Sequence, residues 1–190
     1  MARPKSFEPP QALEIAMKTF WRRGFHAVSI DDLISAMSLS RQSLYDTFGD
    51  KETLFAKALS QYENAYLTKE VDHVSSRQPG DRLFGTFAGW IRADDQAAAA
   101  GCLLTNSLAE FTDDRPRLRM IVGEINGNYE SKLALCCRAA QEEGAIPNHK
   151  DCALLAETLL YIRHGIMISK RAGGGANVRA AQAAFAKLLQ

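Results

Sequence analysis

The side chains with the most directional hydrogen-bonding chemistry gather in one short stretch of this chain, Ser40 to Phe55, which reads SRQSLYDTFGDKETLF. Arg41 offers a planar fork of donors of the kind that pairs with a guanine edge, and Gln42 a carboxamide of the kind that pairs with adenine. Ser43, Tyr45 and Lys51 follow them with hydroxyl and ammonium groups, types that suit phosphate oxygens. The stretch opens a helix at Ser40, breaks it at Gly49 and opens another at Asp50. A helix of about two turns has little stability of its own and depends on what it packs against. Leu44 and Phe48 fall on its inner side, while Arg41, Gln42, Ser43, Tyr45 and Thr47 fall outside. A second packing partner besides the core, such as nucleic acid, would explain so short an element.

The neighbouring segments have to hold that face in place. A first helix is expected after Pro9-Pro10, burying Leu13, Ala16, Met17, Phe20 and Trp21 and stopping near Gly24 with Arg22 and Arg23 in its last turn. Proline at the start and basic residues before a terminal glycine suit helix ends. SIDD places a carboxylate three residues after Ser29, a variant capping box for a second helix that buries Leu33, Ile34 and Met37. Two short helices joined by a tight turn, DDLISAMSLSRQSLYDTF, have the proportions of a helix-turn-helix. Asp50 caps a fourth helix carrying Leu54, Phe55, Ala58, Leu59 and Tyr62, which continues past Leu67 and bridges to the rest of the chain.

Beyond a polar loop at 75–82, helical periodicity covers Arg82 to Arg92, Gly101 to Phe111, Pro116 to Glu142, Asp151 to Arg171 and Asn177 to Leu189. The reading is all-α, with about nine helices: an N-terminal three-helix helix-turn-helix domain over 1–50 and a larger helical domain over 51–190, the fourth helix bridging them.

Composition narrows the classes. With 46% hydrophobic and 24% charged residues among 190, the chain can bury a sizeable core. Its N-terminus lacks an apolar leader, and its longest uncharged run, Gln96 to Ala109, is too short to cross a bilayer, so a cytoplasmic protein without a membrane partner is expected. The net charge is +1, and over residues 1–50 the cations Arg3, Lys5, Lys18, Arg22, Arg23 and Arg41 are matched by Glu8, Glu14, Asp31, Asp32, Asp46 and Asp50. DNA binding would therefore rest on placement of charge, not its total. Four cysteines without a C-x-x-C pair argue against structural zinc or a disulfide framework. His149 and Cys152 share a helical spacing without an evident third ligand. No metal or cofactor is expected. The absence of Ser/His/Asp, phosphate-loop and H-E-x-x-H signatures argues against an enzyme.

ALEIAMKTFWRRGFHAVSIDDL followed by LSRQSLYDTFGDKETLF resembles the DNA-binding domain of the tetracycline-repressor (TetR) family over residues 9–59, through Gly-Phe, Leu-Tyr-x-x-Phe and Asp-Lys-Glu-x-Leu-Phe at the family's spacing. The resemblance implies a homodimeric transcription regulator, a repressor or activator, whose C-terminal domain binds a small-molecule effector and so changes affinity for a palindromic double-stranded DNA operator. Carried onto this sequence, Ser29, Tyr45 and Lys51 would hold phosphates, Arg41, Gln42 and Ser43 would face base edges, and Ser40, which caps the recognition helix, would join them at the DNA. Arg3 and Lys5 would add contacts from an N-terminal arm. The family's turn glycine is Ser38 here, and Asp46 and Thr47 stand where it often has His-Tyr, so no contact is transferred to those positions.

In the second domain, Phe84, Phe87, Trp90, Leu104 and Leu108, with Phe111, Tyr129, Leu133 and Tyr161, could line an effector cavity or simply form core. His164, in YIRHGIM, reads as a hydrogen-bonded helix histidine or a ligand contact. The last two helices, with Val178, Ala181, Phe185 and Leu188 repeating on one face and small Ala183, Ala184 and Ala186, suit a four-helix homodimer interface. Cys102, near a helix start in AAAAGCLLTNSLAEF, has a place where a dipole lowers thiol pKa, although no basic residue lies in the next eight positions, so it reads either as a structural residue lining the effector cavity with the candidates above or as a sensor thiol. Regulators of the family with a Gly-Cys-Leu segment include sensors of electrophiles or oxidants. Two alternatives stand beside the ligand-responsive repressor: a cysteine-based electrophile or redox sensor, and a ligand-independent architectural DNA-binding protein.

Overall fold

Two prolines preset the start of the first helix and a glycine ends it. In the computed structural model, which describes residues 7–70, 85, 89–90, 100–173 and 178–189, α1 spans Pro9–Arg23. Gly24 follows at φ 83°, and a Cβ there would meet both Glu110 carboxylate oxygens at 3.0 Å. Glycine is needed for backbone and space alike. α2, Ile30–Met37, begins at a reciprocal capping box, with Asp32 N–H donating to Ser29 Oγ at 3.0 Å and Ser29 N–H to Asp32 Oδ2 at 2.7 Å. It ends at Ser38, φ 54° and ψ 43°. The left-handed turn is thus kept by a serine, at the steric cost that L side chains meet there.

α3, Arg41–Phe48, starts at Ser40, whose Oγ accepts from Ser43 N–H at 3.1 Å. α4, Lys51–Tyr62, starts at Asp50, which accepts from Thr53 N–H at 2.7 Å. It then passes through a π-helical turn, Glu63–Leu67, and returns to α-helix over residues 68–70. The expected continuation past Leu67 is present, with a change of helix type that periodicity did not indicate.

The described part of the second domain comprises α5 (Leu103–Glu110), α6 (Pro116–Glu142), α7 (Cys152–Arg171) and α8 (Val178–Leu189). Proline opens α6 and Asp151 caps α7 through Ala153 N–H at 2.8 Å. No strand occurs among the described residues, and the all-α class with an N-terminal helix-turn-helix holds. The arm with Arg3 and Lys5, the loop at 75–82, Phe84, Phe87 and most of the expected helix at 82–92 lie outside the described residues.

α1 packs on α4, and α6 packs on α7. The two groups meet through rings: Phe55 of α4 lies 5.0 Å from Phe20, 5.3 Å from Phe25 and 5.2 Å from Phe111. Edge-to-face rings at these distances bury area and add directional attraction. α7 is long and apolar enough by composition to span a membrane. Here it lies along α6 and α5 and buries Arg163 among protein groups.

Candidate functional site

The outer face of α3 is built as its side-chain pattern requires. Leu44 and Phe48 are buried, while Arg41, Gln42 and Tyr45 are exposed and Ser43 is half-buried. Its polar ends are held by neighbours on the same surface: Arg41 Nη2 donates to Asp31 Oδ1 at 2.5 Å and Gln42 Nε2 to Asp46 Oδ1 at 2.7 Å. Both contacts lie in solvent, where such surface pairings contribute little. Exchanging these carboxylates for a base edge or a phosphate therefore costs little. Asp46, where no DNA contact was expected, acts as the resting partner of Gln42.

Ser29 and Ser40 sit at helix starts, and both hydroxyls are engaged. Ser29 Oγ donates to Asp32 Oδ2 at 2.6 Å, and Ser40 Oγ lies 2.8 Å from Ser43 Oγ. Arg23 adds Nη1 to Asp32 Oδ1 at 2.9 Å and Nη2 to the Ala27 carbonyl at 3.0 Å, tying the end of α1 to the start of α2. Arg23, Ser29 and the Ser29 amide hold the Asp32 carboxyl well below the usual carboxylate range. That clamp was missed in the sequence because its partners belong to different helices.

Lys51 lies at the start of α4 with Nζ 4.2 Å from the Phe25 ring centre. Partial burial, then the nearby Arg115, lowers its pKa. It lines an open cleft of about 370 Å³ with Phe25, His26, Asp50, Glu52 and Arg115. The cleft lies where the two domains meet. Glu110, at the end of α5, accepts from Phe25 N–H at 3.0 Å and His26 N–H at 2.7 Å, so the second domain holds the turn that leads into α2.

A second polar cluster is enclosed. The Arg163 side chain has no exposed surface; its Nε and Nη2 reach Glu70 Oε2 at 3.1 and 3.0 Å, and Nη1 reaches Cys102 Sγ at 3.4 Å. Tyr129 donates its hydroxyl to Glu70 Oε2 at 2.9 Å. Burial pushes the Cys102 thiol up, but Arg163, the Tyr62 hydroxyl and the Thr105 amide outweigh it, and the pKa falls below the usual thiol value. The expected dipole is not the main reason. Cys102 caps α5, and its cation comes from Arg163, far along the chain. By contrast, burial pushes Cys137 up to about 12 and raises Cys152.

The remaining candidates separate by burial. Trp90, Leu104, Tyr129 and Leu133 are buried. Phe111 is buried too, but at the domain junction against Phe25 and Phe55. Leu108 and Tyr161 face outward, 39% and 64% exposed, so no interior site collects them; Tyr161 donates to Glu157 Oε1 at 2.6 Å. Amphipathic spacing locates a stripe but not which side of the bundle it meets. His164 is a hydrogen-bonded helix histidine: Nε2 faces Asn126 Oδ1 at 3.0 Å and Nδ1 meets Thr105 Oγ1 at 2.8 Å. Cys152 donates to Gln141 Oε1 at 3.4 Å, and no group of three or more potential metal ligands occurs among the described residues.

Comparison with known proteins adds independent findings. Residues 12–58 match the family described as bacterial regulatory proteins, tetR family, and residues 79–185 match the tetracyclin repressor-like C-terminal domain. The HTH-type transcriptional repressor ComR of Escherichia coli K12 is 30% identical over 176 residues, spanning 90% of this chain and 83% of ComR. A cysteine-substituted CifR, solved with 26-bp double-strand operator DNA, superposes with a TM-score of 0.85 at 22% identity over 99% of this chain and 98% of CifR. Reduced E. coli NemR gives a TM-score of 0.81 at 15% identity, over 96% and 97% of the two chains.

Proposed function

The chain belongs to the TetR family of bacterial regulatory proteins, and on that premise we propose that it is a cytoplasmic repressor binding a palindromic operator as a homodimer and leaving it when a small molecule occupies the second domain. It is a transcriptional regulator and not an enzyme. The observation that carries the DNA reading is the exposed row Arg41, Gln42 and Tyr45 above buried Leu44 and Phe48. In this reading residues 1–50 are the DNA-binding domain, and residues 51–190 bind effector and dimerise.

α3 enters the major groove; Arg41, Gln42 and Ser43 read bases while Tyr45, Lys51 and the start of α2 at Ser29 hold phosphates. Leu154, Tyr161 and Ile168, exposed at spacings of seven along α7, supply an apolar stripe that a second copy would cover together with α8. The DNA reading is tested by selecting bound duplexes from a random library. A palindrome with half-sites roughly 34 Å apart is expected, and equal binding to every duplex at physiological salt would refute it. A protein that sediments as a monomer at micromolar concentration would refute the interface.

A second reading, thiol sensing at Cys102, is favoured by the Arg163 guanidinium 3.4 Å from its sulfur. A thiolate attacks electrophiles such as N-ethylmaleimide far faster than a thiol. Loss of operator affinity after N-ethylmaleimide in wild type but not in Cys102→Ser is the expected result. Equal loss in both proteins, or none in either, excludes it.

A further inference from the structure

The donors around Glu70 form a receptor for a carboxylate, and the protein fills it with its own side chain. Glu70 Oε2 receives Tyr129 Oη at 2.9 Å, Arg163 Nε at 3.1 Å and Arg163 Nη2 at 3.0 Å, while Oε1 receives Nη2 at 3.3 Å. The Tyr129 ring, 4.8 Å from the guanidinium carbon, covers the cation. Arginine stays charged in any protein setting, and its planar fork matches a carboxylate in two-point contact.

The two partners are enclosed to different degrees. Arg163 is fully buried, whereas the Glu70 side chain keeps 30% of its surface exposed. The cation is fixed in the core on α7, and its anion reaches in from the rim, on the helical stretch that continues α4. A buried guanidinium needs an anion continuously, because an unpaired buried charge is costly. It does not need that anion to be Glu70. Replacing one carboxylate by another conserves the charge and the hydrogen bonds, and an incoming molecule with an apolar body can add contact with the Tyr129 ring that covers the guanidinium.

Resting on the regulator reading above, we propose that the effector is a small monocarboxylate with an apolar body, which takes the place of Glu70 on Arg163 and Tyr129, and that release of Glu70 is the signal to the DNA-binding domain. Glu70 lies on a helical path that starts at Lys51, runs through α4, passes the π-helical turn at Glu63–Leu67 and is α-helical again over residues 68–70. π-turns inside α-helices are often found at functional sites. The same path touches the DNA-binding region: Tyr62 and Tyr66 pack on Trp21 of α1 at 4.9 and 5.1 Å. An anion that frees Glu70 removes a bond that fixes this path to the core, and operator affinity falls.

The probes are acetate, benzoate and octanoate, with benzamide as the neutral match to benzoate, at constant ionic strength. Calorimetry follows binding and fluorescence anisotropy follows release of an operator duplex. In wild type, benzoate or octanoate should bind saturably and release the operator, whereas benzamide should do neither. In Glu70→Ala the internal competitor is gone, and carboxylate affinity should rise roughly ten-fold or more, since a tethered group acts at millimolar effective concentration. Glu70→Gln should bind operator more weakly than wild type even without a carboxylate. If folded Glu70→Ala and wild type bind all three carboxylates equally, or if neither binds any up to millimolar concentration, the proposal is overturned. Should Glu70→Ala fail to fold, absence of carboxylate binding to wild type overturns it alone. A wild type that holds a selected operator yet ignores every carboxylate refutes only this inference; one that binds no duplex selectively refutes the regulator reading beneath it.

Discussion

In α1 to α3 every buried side chain is apolar, from Ala12 to Phe48, whereas the helices after residue 100 enclose Arg163, Thr105 and Ser107 as well. The charged groups of the first region lie on its surface, in pairs such as Arg41 with Asp31, whose side chains are 55% and 79% exposed. Those of the second region include a guanidinium with no exposed surface. The contrast separates two ways of keeping polar chemistry ready. On the surface, water already solvates the ions, so exchanging a partner is nearly free. In the core, each donor must be matched, so the partner is costly to lose and specific to replace.

Four experiments test that contrast, beginning with the one expected to have the largest effect. Phe55→Ala removes the ring shared by both regions and should cost about 4 kcal/mol, read as a lower urea midpoint. Separate unfolding of the two regions in this variant would show that the ring couples them, and an unchanged midpoint would deny it the shared role. Arg163→Met should cost about 3 kcal/mol by leaving Glu70 and Tyr129 without the cation, and adding Glu70→Leu should recover much of the loss. If the double variant is no more stable than the single one, the pair is not acting as an enclosed unit.

The third experiment concerns pH. Burial, then the neighbouring Arg163, lowers the His164 pKa to about 4, below the ordinary histidine value near 6.5. Between those values the unfolded chain takes up a proton that the folded chain refuses, so stability falls as pH drops from 6.5 towards 4 and is unaffected by this group above 6.5. His164→Gln should flatten that part of the profile, measured as the urea midpoint at pH 7 and pH 5. An unchanged slope would remove His164 as its source. The smallest effect on folding belongs to Arg41→Ala, within about 0.5 kcal/mol as for most surface changes. Its consequence should appear instead as lost discrimination at one base step, while Lys51→Ala should weaken binding to all sequences and lower the salt slope by about one.

Much of this was legible in the chain because it is local. Pro116 and the polar residues after Glu142 bound α6 where periodicity placed it, and Ser29, Ser40 and Asp50 cap the helices they precede. The outward face of α3 was also readable, since a side chain's direction on a short helix follows from its spacing. The π-helical turn was not, because its residues carry an ordinary helical pattern. Tyr161 and Leu108 were misplaced for a related reason: spacing defines a face but not what covers it.

Sequence alone therefore determined the described helices of the N-terminal region, their caps and the outward face of α3, all set by interactions within a few residues, while the left-handed conformation kept at Ser38 came from the structure. Tertiary structure decided the rest. Glu70 and Arg163 are 93 positions apart, Cys102 and Arg163 are 61 apart, and Glu110 meets the amides of Phe25 and His26 across 85 and 84. An arginine inside the apolar run of α7 was the one local sign that something charged had to be matched in the core. No rule of spacing names the partner, because burial makes the pairing obligatory while only the packing of α5, α6 and α7 against the helical stretch after the π-turn selects which carboxylate and which thiol lie within reach.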